Sequence, residues 1–309
     1  MSDIHYAVEP SPSSNSTRDF LLSLPQPIAV FGAGFLVASA AIYDWIDIGV
    51  LVPIILLLRI PILLLLELAF PKRQDWRLSW RDFAIDMFWV FSVLLIWVPL
   101  FDSYYDTPIS DAFTWLREAS AFPITLRAES MVGLVVVAVV AMIVKEFIYY
   151  WIHRLQHRYM FMWRMHATHH HITKMSTARA DRTHPLEFLL LNIGSVIVLS
   201  FLQASAEVVA VYLVMVLVNA YMAHANLPLR SGFYGLLFTT AEWHHLHHSL
   251  DRKESDKNFG CTIILWDRVF GTFNGSSHVE RIGNGTGKSL SLYTQFTMPF
   301  RSNKVLREL

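Results

Sequence analysis

The chain has 309 residues, of which 54% are hydrophobic and 16% charged, and its mean hydropathy is +0.39. Soluble domains carry about 25% charged residues, so this composition excludes an ordinary soluble domain and points to a membrane protein. The 25 basic and 25 acidic residues cancel, which argues against nucleic acid as a partner, and the lone Cys261 excludes an intrachain disulfide.

In chain order, residues 1–27 are polar and rich in Pro and Ser, the composition of a flexible, loosely attached N-terminus, and they lack a signal-peptide pattern. Apolar runs follow near 28–43, 48–70, 83–101, 131–152, 186–202 and 206–223. A span needs roughly 20 residues. The runs at 48–70 and 131–152 reach that length, the first is short, and the last two are joined closely enough for a hairpin. Pro53, Arg59 and Pro61 predict that 48–70 is kinked or partly re-entrant. The expected fold is all-α, a multi-span helical membrane protein with four to six transmembrane helices. Residues 28–130 form the first spans and loops, with 102–129 read as a loop; 131–273 form the functional domain, and 274–309 a C-terminal tail. Residues 258–266 read as an extended segment or a helix start.

Lysine and arginine are biased to one side. The 71–81 loop carries Lys72, Arg73, Arg77 and Arg81, and 153–185 carries Arg154, Arg158, Arg164, Lys174, Arg179 and Arg182. Such an excess marks the cytoplasmic face, so a helical cap is expected there.

Histidine is the outlier. Twelve of the 14 lie between His153 and His248. His153 and His157 are four apart at the end of the 131–152 run. His166, His169 and His170 repeat as H-x2-H-H, and so do His244, His247 and His248. On a helix, residues three and four apart share a face, so each box presents its imidazoles together. Imidazole binds Zn, Cu, Fe or Ni through one neutral nitrogen. About eight such ligands exceed a tetrahedral zinc site and suit two ions of higher coordination. The spacing indicates a metal site without selecting iron.

The order H-x3-H, H-x2-H-H, H-x2-H-H resembles the fatty acid hydroxylase/sterol desaturase superfamily. Surrounding words are similar too: Tyr150-Trp151-Ile152-His153-Arg154, Thr183-His184-Pro185-Leu186-Glu187, His224-Ala225-Asn226, Asn258-Phe259-Gly260, and the run from Leu265 to Thr272. The likeness covers about 143–273. It implies a dinuclear iron centre with O2 as co-substrate, a lipid substrate, and an external ferredoxin- or cytochrome-type electron donor with its reductase. The ligands it implies are His153, His157, His166, His169, His170, His224, His244, His247 and His248. His184 and His245 are further ligand or supporting candidates, and Glu146, Asp181 and Asn258 are expected to orient imidazole N–H groups. Glu146 stands where much of the family has Asp, and His171 and His245 are additional to its pattern. Arg154, Arg158, Arg164 and Arg179 offer a docking surface to an acidic donor or, equally, contacts with the membrane surface. The reaction expected is hydroxylation or desaturation of a lipid C–H bond. Two other classes remain open: a metal-ion transporter, which would place ligands at mid-bilayer, and a membrane zinc hydrolase, which typically carries H-E-x-x-H, absent here.

Overall fold

The computed structural model describes residues 16–308. The loosely attached N-terminus expected from composition falls mostly on residues 1–15, outside that range. Residues from Ser16 onward are already helical.

Among the described residues, five helices are long and apolar enough to cross a membrane. They are α1 (Ser16–Tyr43), α2 (Ile48–Ala69), α3 (Trp80–Ser120), α4 (Met131–Arg158) and α7 (Ala206–His224). Between the last two lie α5 (Met160–His170) and α6 (Pro185–Phe201), the latter apolar but shorter and broken at its start. Short elements follow: α8 (Ala241–His247), α9 (Leu265–Val269) and α10 (Leu292–Thr297).

Local chemistry sets the boundaries. Asp47 accepts from the Gly49 N–H at the start of α2, and Ser79 and Asp82 form a capping box at the start of α3. Ser130 and Ser205 cap α4 and α7. Helix α2 runs unbroken through Pro53 and Pro61, so the re-entrant expectation does not hold. Its Arg59 is buried with the guanidinium 3.9 Å from the Tyr221 ring centroid, which gives the charge an aromatic partner.

The expected loop at 102–129 is another correction, because helix continues to Ser120. Two π-helical stretches, Val93–Trp97 and Asp102–Asp106, each end two residues before a proline, Pro99 and Pro108. A proline lacks its N–H and crowds the carbonyl four residues back; widening the helix relieves both problems without breaking it.

Helix α7 packs against α1, α2 and α4 and carries the centre of the core, with Val211 and Met215 against Val30, Val37, Leu134 and Met142. Gly34 permits the closest approach, since a Cβ there would lie 2.9 Å from Met215. The outer faces are apolar: Leu57, Leu65, Leu95 and Val132 are each at least 60% exposed. In water that surface would be costly; against lipid it is the expected solvent-facing side. The C-terminal segment is packed rather than a free tail, with Phe296 stacked on Trp89 at 4.6 Å, Gln295 accepting from the Trp89 indole, and Met298 fully buried.

Candidate metal centre

Helix α4 extends past its apolar stretch and carries His153 and His157 in its last turns, and α7 ends on His224. Helices α5 and α8 bring the two H-x2-H-H boxes against these ends. The nine imidazoles converge in two groups. His153, His157, His166, His170 and His247 form one, and His169, His224, His244 and His248 the other. Within each group the ligand nitrogens lie within 4.8 Å of one another. The groups abut, since the His170 and His248 rings stack at 4.6 Å.

The boxes are divided in a way that sequence spacing did not reveal. Around a helix, residue i+4 sits about 40° from i, while i+3 sits about 60° away on the other side. Thus His166 and His170 turn to the first group and His169 to the second. Box three does the converse: His244 and His248 serve the second group and His247 the first. Each H-x2-H-H box straddles both groups, where a single shared face was expected.

Hydrogen bonds fix which nitrogen faces inward. His153 Nδ1 lies 2.5 Å from the Phe259 carbonyl, and His247 Nδ1 lies 2.7 Å from that of Lys257. Donation from these Nδ1–H groups leaves a lone pair on each Nε2, yet the two Nε2 atoms stand only 3.1 Å apart. His153 and His166 oppose Nε2 atoms at 2.9 Å, as do His224 and His244. Lone pairs so placed repel unless a cation lies among them. An ion with bonds near 2.1 Å sets neighbouring ligands about 3 Å apart and opposed ones about 4.2 Å apart, so both groups fit a transition-metal ion.

Burial, helped by neighbouring imidazoles, holds His166, His169, His170, His244 and His248 well below the ordinary histidine range; burial takes His247 to about 4. The rings are therefore neutral near pH 7, the form that binds metal.

The additional candidates lie outside both groups. His184 accepts from the Leu186 N–H and lies 3.1 Å from the Phe296 carbonyl. His245 faces Lys72 and the edge of Trp76, and His171 faces Asn284. Glu146 pairs with Lys145 at 2.7 Å and accepts from Cys261 and Thr262, tying α4 to the 261–262 loop. Asp181 accepts from the Tyr221 hydroxyl. Asn258, at φ 54°, bonds Trp243 and Asn274. None of these three hydrogen-bonds an imidazole; Asn258 instead shapes the turn that delivers the Phe259 carbonyl to His153. Arg179 is fully buried between Asp82 and Asp86, which removes it from any donor-docking surface.

Residues 138–272 match the fatty acid hydroxylase family. That match spans less than half of the chain. Among relatives, an ornithine lipid hydroxylase from Rhizobium tropici is 31% identical over 176 residues, 55% of this chain and 52% of its own. Human alkylglycerol monooxygenase is 29% identical over 155 residues, 50% of this chain and 34% of its own. A methylsterol monooxygenase from Arabidopsis thaliana is 24% identical over 142 residues, 45% of this chain and 53% of its own. The chain thus spans about half of the first relative and a third of the second. No solved structure matches.

Within the fatty acid hydroxylase region, three carboxylates escaped sequence reasoning. Glu187 takes the His166 Nδ1–H, and Asp256 lies 3.2 Å from His157 Nδ1. Asp267 accepts from the Phe259 and Gly260 N–H groups at 2.8 and 2.7 Å and from the Thr272 hydroxyl. Burial pushes Asp267 up to about 6. Glu187 and Asp267 both sit in words that carried the family resemblance, which was the available signal; nothing in local spacing marked Asp256.

Proposed function

We propose that the protein is a membrane-bound, O2-dependent monooxygenase that hydroxylates a lipid, with two irons held by the nine imidazoles. The observation that carries this reading is the division of nine neutral, buried imidazoles into two abutting groups within a fatty acid hydroxylase region. The relatives' names, lipid hydroxylase and monooxygenases acting on alkylglycerol and methylsterol, support lipid as the substrate class and hydroxylation over desaturation.

Iron so bound would supply the activation of O2 that breaking an unactivated C–H bond requires. The chain's own groups do the remaining work. Nδ1–H bonds to Phe259, Lys257, Ala220, Glu187 and Asp256 hold five rings with Nε2 inward. Burial of the rings excludes bulk water from the centre. The positions of His153, His157 and His224 at the ends of apolar helices support a centre close to the level where lipid chains meet the boundary. The Lys/Arg bias of 71–81 and 153–185 supports a cytoplasmic face for the cap. Electrons are assigned to a separate ferredoxin- or cytochrome-type donor with its reductase, because the sequence contains no flavin, haem or nicotinamide motif.

A transporter reading is disfavoured because the ligands cluster at helix ends rather than along a mid-bilayer path. A zinc hydrolase reading is disfavoured because nine imidazoles exceed the usual four-coordinate site. The test is metal analysis of the purified protein together with lipid profiling of a host with and without the gene. Iron with a new hydroxylated lipid is expected; zinc alone with hydrolytic turnover sinks the proposal.

A further inference from the structure

A cavity of about 420 Å³ lies beside the metal centre where α2 ends and α3 begins. Its walls are apolar and aromatic, with Leu64 and Leu68 from α2, Trp76 and Leu78 from the connecting loop, and Trp80 and Phe83 from α3. Arg77 and Ser79 stand in its lining, and Glu67 and Asn226 close it on the side of the histidines.

The cavity is tied to the metal centre in two ways. The Trp76 ring meets His245 edge-on at 5.3 Å, and His245 adjoins His244 in the chain. The buried Glu67 carboxylate accepts from the Asn226 N–H at 3.1 Å and from Ser176 and Thr177 at 2.7 Å each. It thereby braces the segment that carries His224, two residues before Asn226. With its oxygens so engaged, Glu67 acts as a wall and brace.

The mouth has the opposite character. Trp80 is 86% exposed, at the end of a spanning helix where aromatic side chains settle at the bilayer boundary. Arg73 is paired with Asp75, and Lys174 with Asp82. Among the described residues no carboxylate pairs with Arg77, whose one hydrogen bond of this kind goes to the Leu68 carbonyl at 3.1 Å. Arg77 is an exposed residue in the lining of this largely apolar slot, beside the start of a spanning helix. An aliphatic wall with a cation at the rim is complementary to a lipid with an anionic head.

We propose that this cavity seats the aliphatic chain of an anionic lipid, its phosphate or carboxylate held by Arg77, and that substrate is received there. The last part rests on the lipid-oxidation reading above. Apart from Asn226, the seat is made by Trp76–Phe83 and α2, outside the matched residues 138–272, so it is where this chain would set its own choice of lipid.

The test uses the full-length protein in nanodiscs and two photoactivatable probes with identical diazirine-bearing chains, a phosphatidic acid and a neutral diacylglycerol. The phosphatidic acid is expected to label peptides spanning Leu64–Phe83, and Arg77→Gln to reduce that labelling about tenfold, the loss of one charge-assisted hydrogen bond. Arg77→Lys should retain most of it, and Leu64→Trp, by filling the cavity, should reduce labelling by both probes. Equal labelling by the two probes, or labelling indifferent to Arg77→Gln, overturns the proposal. Arg77 is exposed, so its substitution leaves the fold intact even if Leu64→Trp does not. Labelling needs no turnover, so the two readings fail separately. Absence of labelling at Leu64–Phe83 in native protein that oxidises lipid removes the cavity proposal alone, and specific labelling of a protein that oxidises nothing supports the cavity while removing the oxygenase.

Discussion

The two imidazole groups are built from the same residue type at nearly the same depth, but they are held differently. In the five-membered group, His153, His157, His166 and His247 each have Nδ1 bound to a carbonyl or carboxylate. In the four-membered group only His224 is so held, by the Ala220 carbonyl. His244 and His248 have Nδ1 atoms with no hydrogen-bond partner among the described residues, and for His169 the Arg182 carbonyl is near but outside bonding geometry. Orientation of a ligand ring is a large part of its affinity, because a free ring must be ordered when the metal binds. The first group is therefore preorganised and the second adaptable.

The strongest way to break this comparison is to remove a ligand. His247→Ala should abolish activity and metal loading of the first group while leaving membrane insertion unchanged; full activity in that variant would refute the ligand assignment. His169→Ala should empty the second group while retaining the first, visible as roughly half the metal of the native protein by elemental analysis.

Next in size is the partner of a ligand. Glu187→Gln should weaken metal binding about 10- to 100-fold, the usual effect of losing a carboxylate behind a ligating histidine. Asp267→Asn acts one step further out, through the turn that holds the Phe259 carbonyl against His153. It should lower metal affinity less than Glu187→Gln, and an equal loss would mean that the turn and not the carboxylate is the main constraint. A graded chelator titration sharpens the contrast itself: the second group should release its metal first, and simultaneous release would show that the two behave as one unit.

The smallest expected effect is on pH. In the metal-free protein His247 holds its proton only below about 4, against an ordinary value of 6.5. Between those values the unfolded chain binds a proton that the folded one refuses, so stability rises with pH there. It is fully present above pH 6.5 and is lost as pH falls toward 4. The thermal midpoint of metal-free protein should drop from pH 7 to pH 5.

Much of this was legible in the sequence, for reasons that particular residues make clear. The long apolar helices and eight of the nine histidines follow from hydropathy and from spacing, both local properties; His224 stands alone and came from the family resemblance. The extension of α3 to Ser120 was not legible, because the apolar run ends near 101 and Asp102, Asp106 and Asp111 follow; only the geometry shows the helix continuing, widened ahead of Pro99 and Pro108. The sharing of each box between two groups was also hidden, since i, i+3 and i+4 look like one face until two separate targets divide the arc. Asp256 was out of reach because its role depends on a contact 99 residues away in the chain, whereas Glu187 lay in a word of the family resemblance and was not singled out. Arg179 looked like surface charge and proved to be buried, because its partners Asp82 and Asp86 lie on a different helix.

The central claim is that two metal ions are held by two sets of imidazoles, one of five and one of four. Elemental analysis of the purified full-length protein, beside a His244→Ala/His248→Ala double variant, tests it most directly. The account predicts two irons per chain in the native protein and about one in the variant. One metal per chain in both would contradict it.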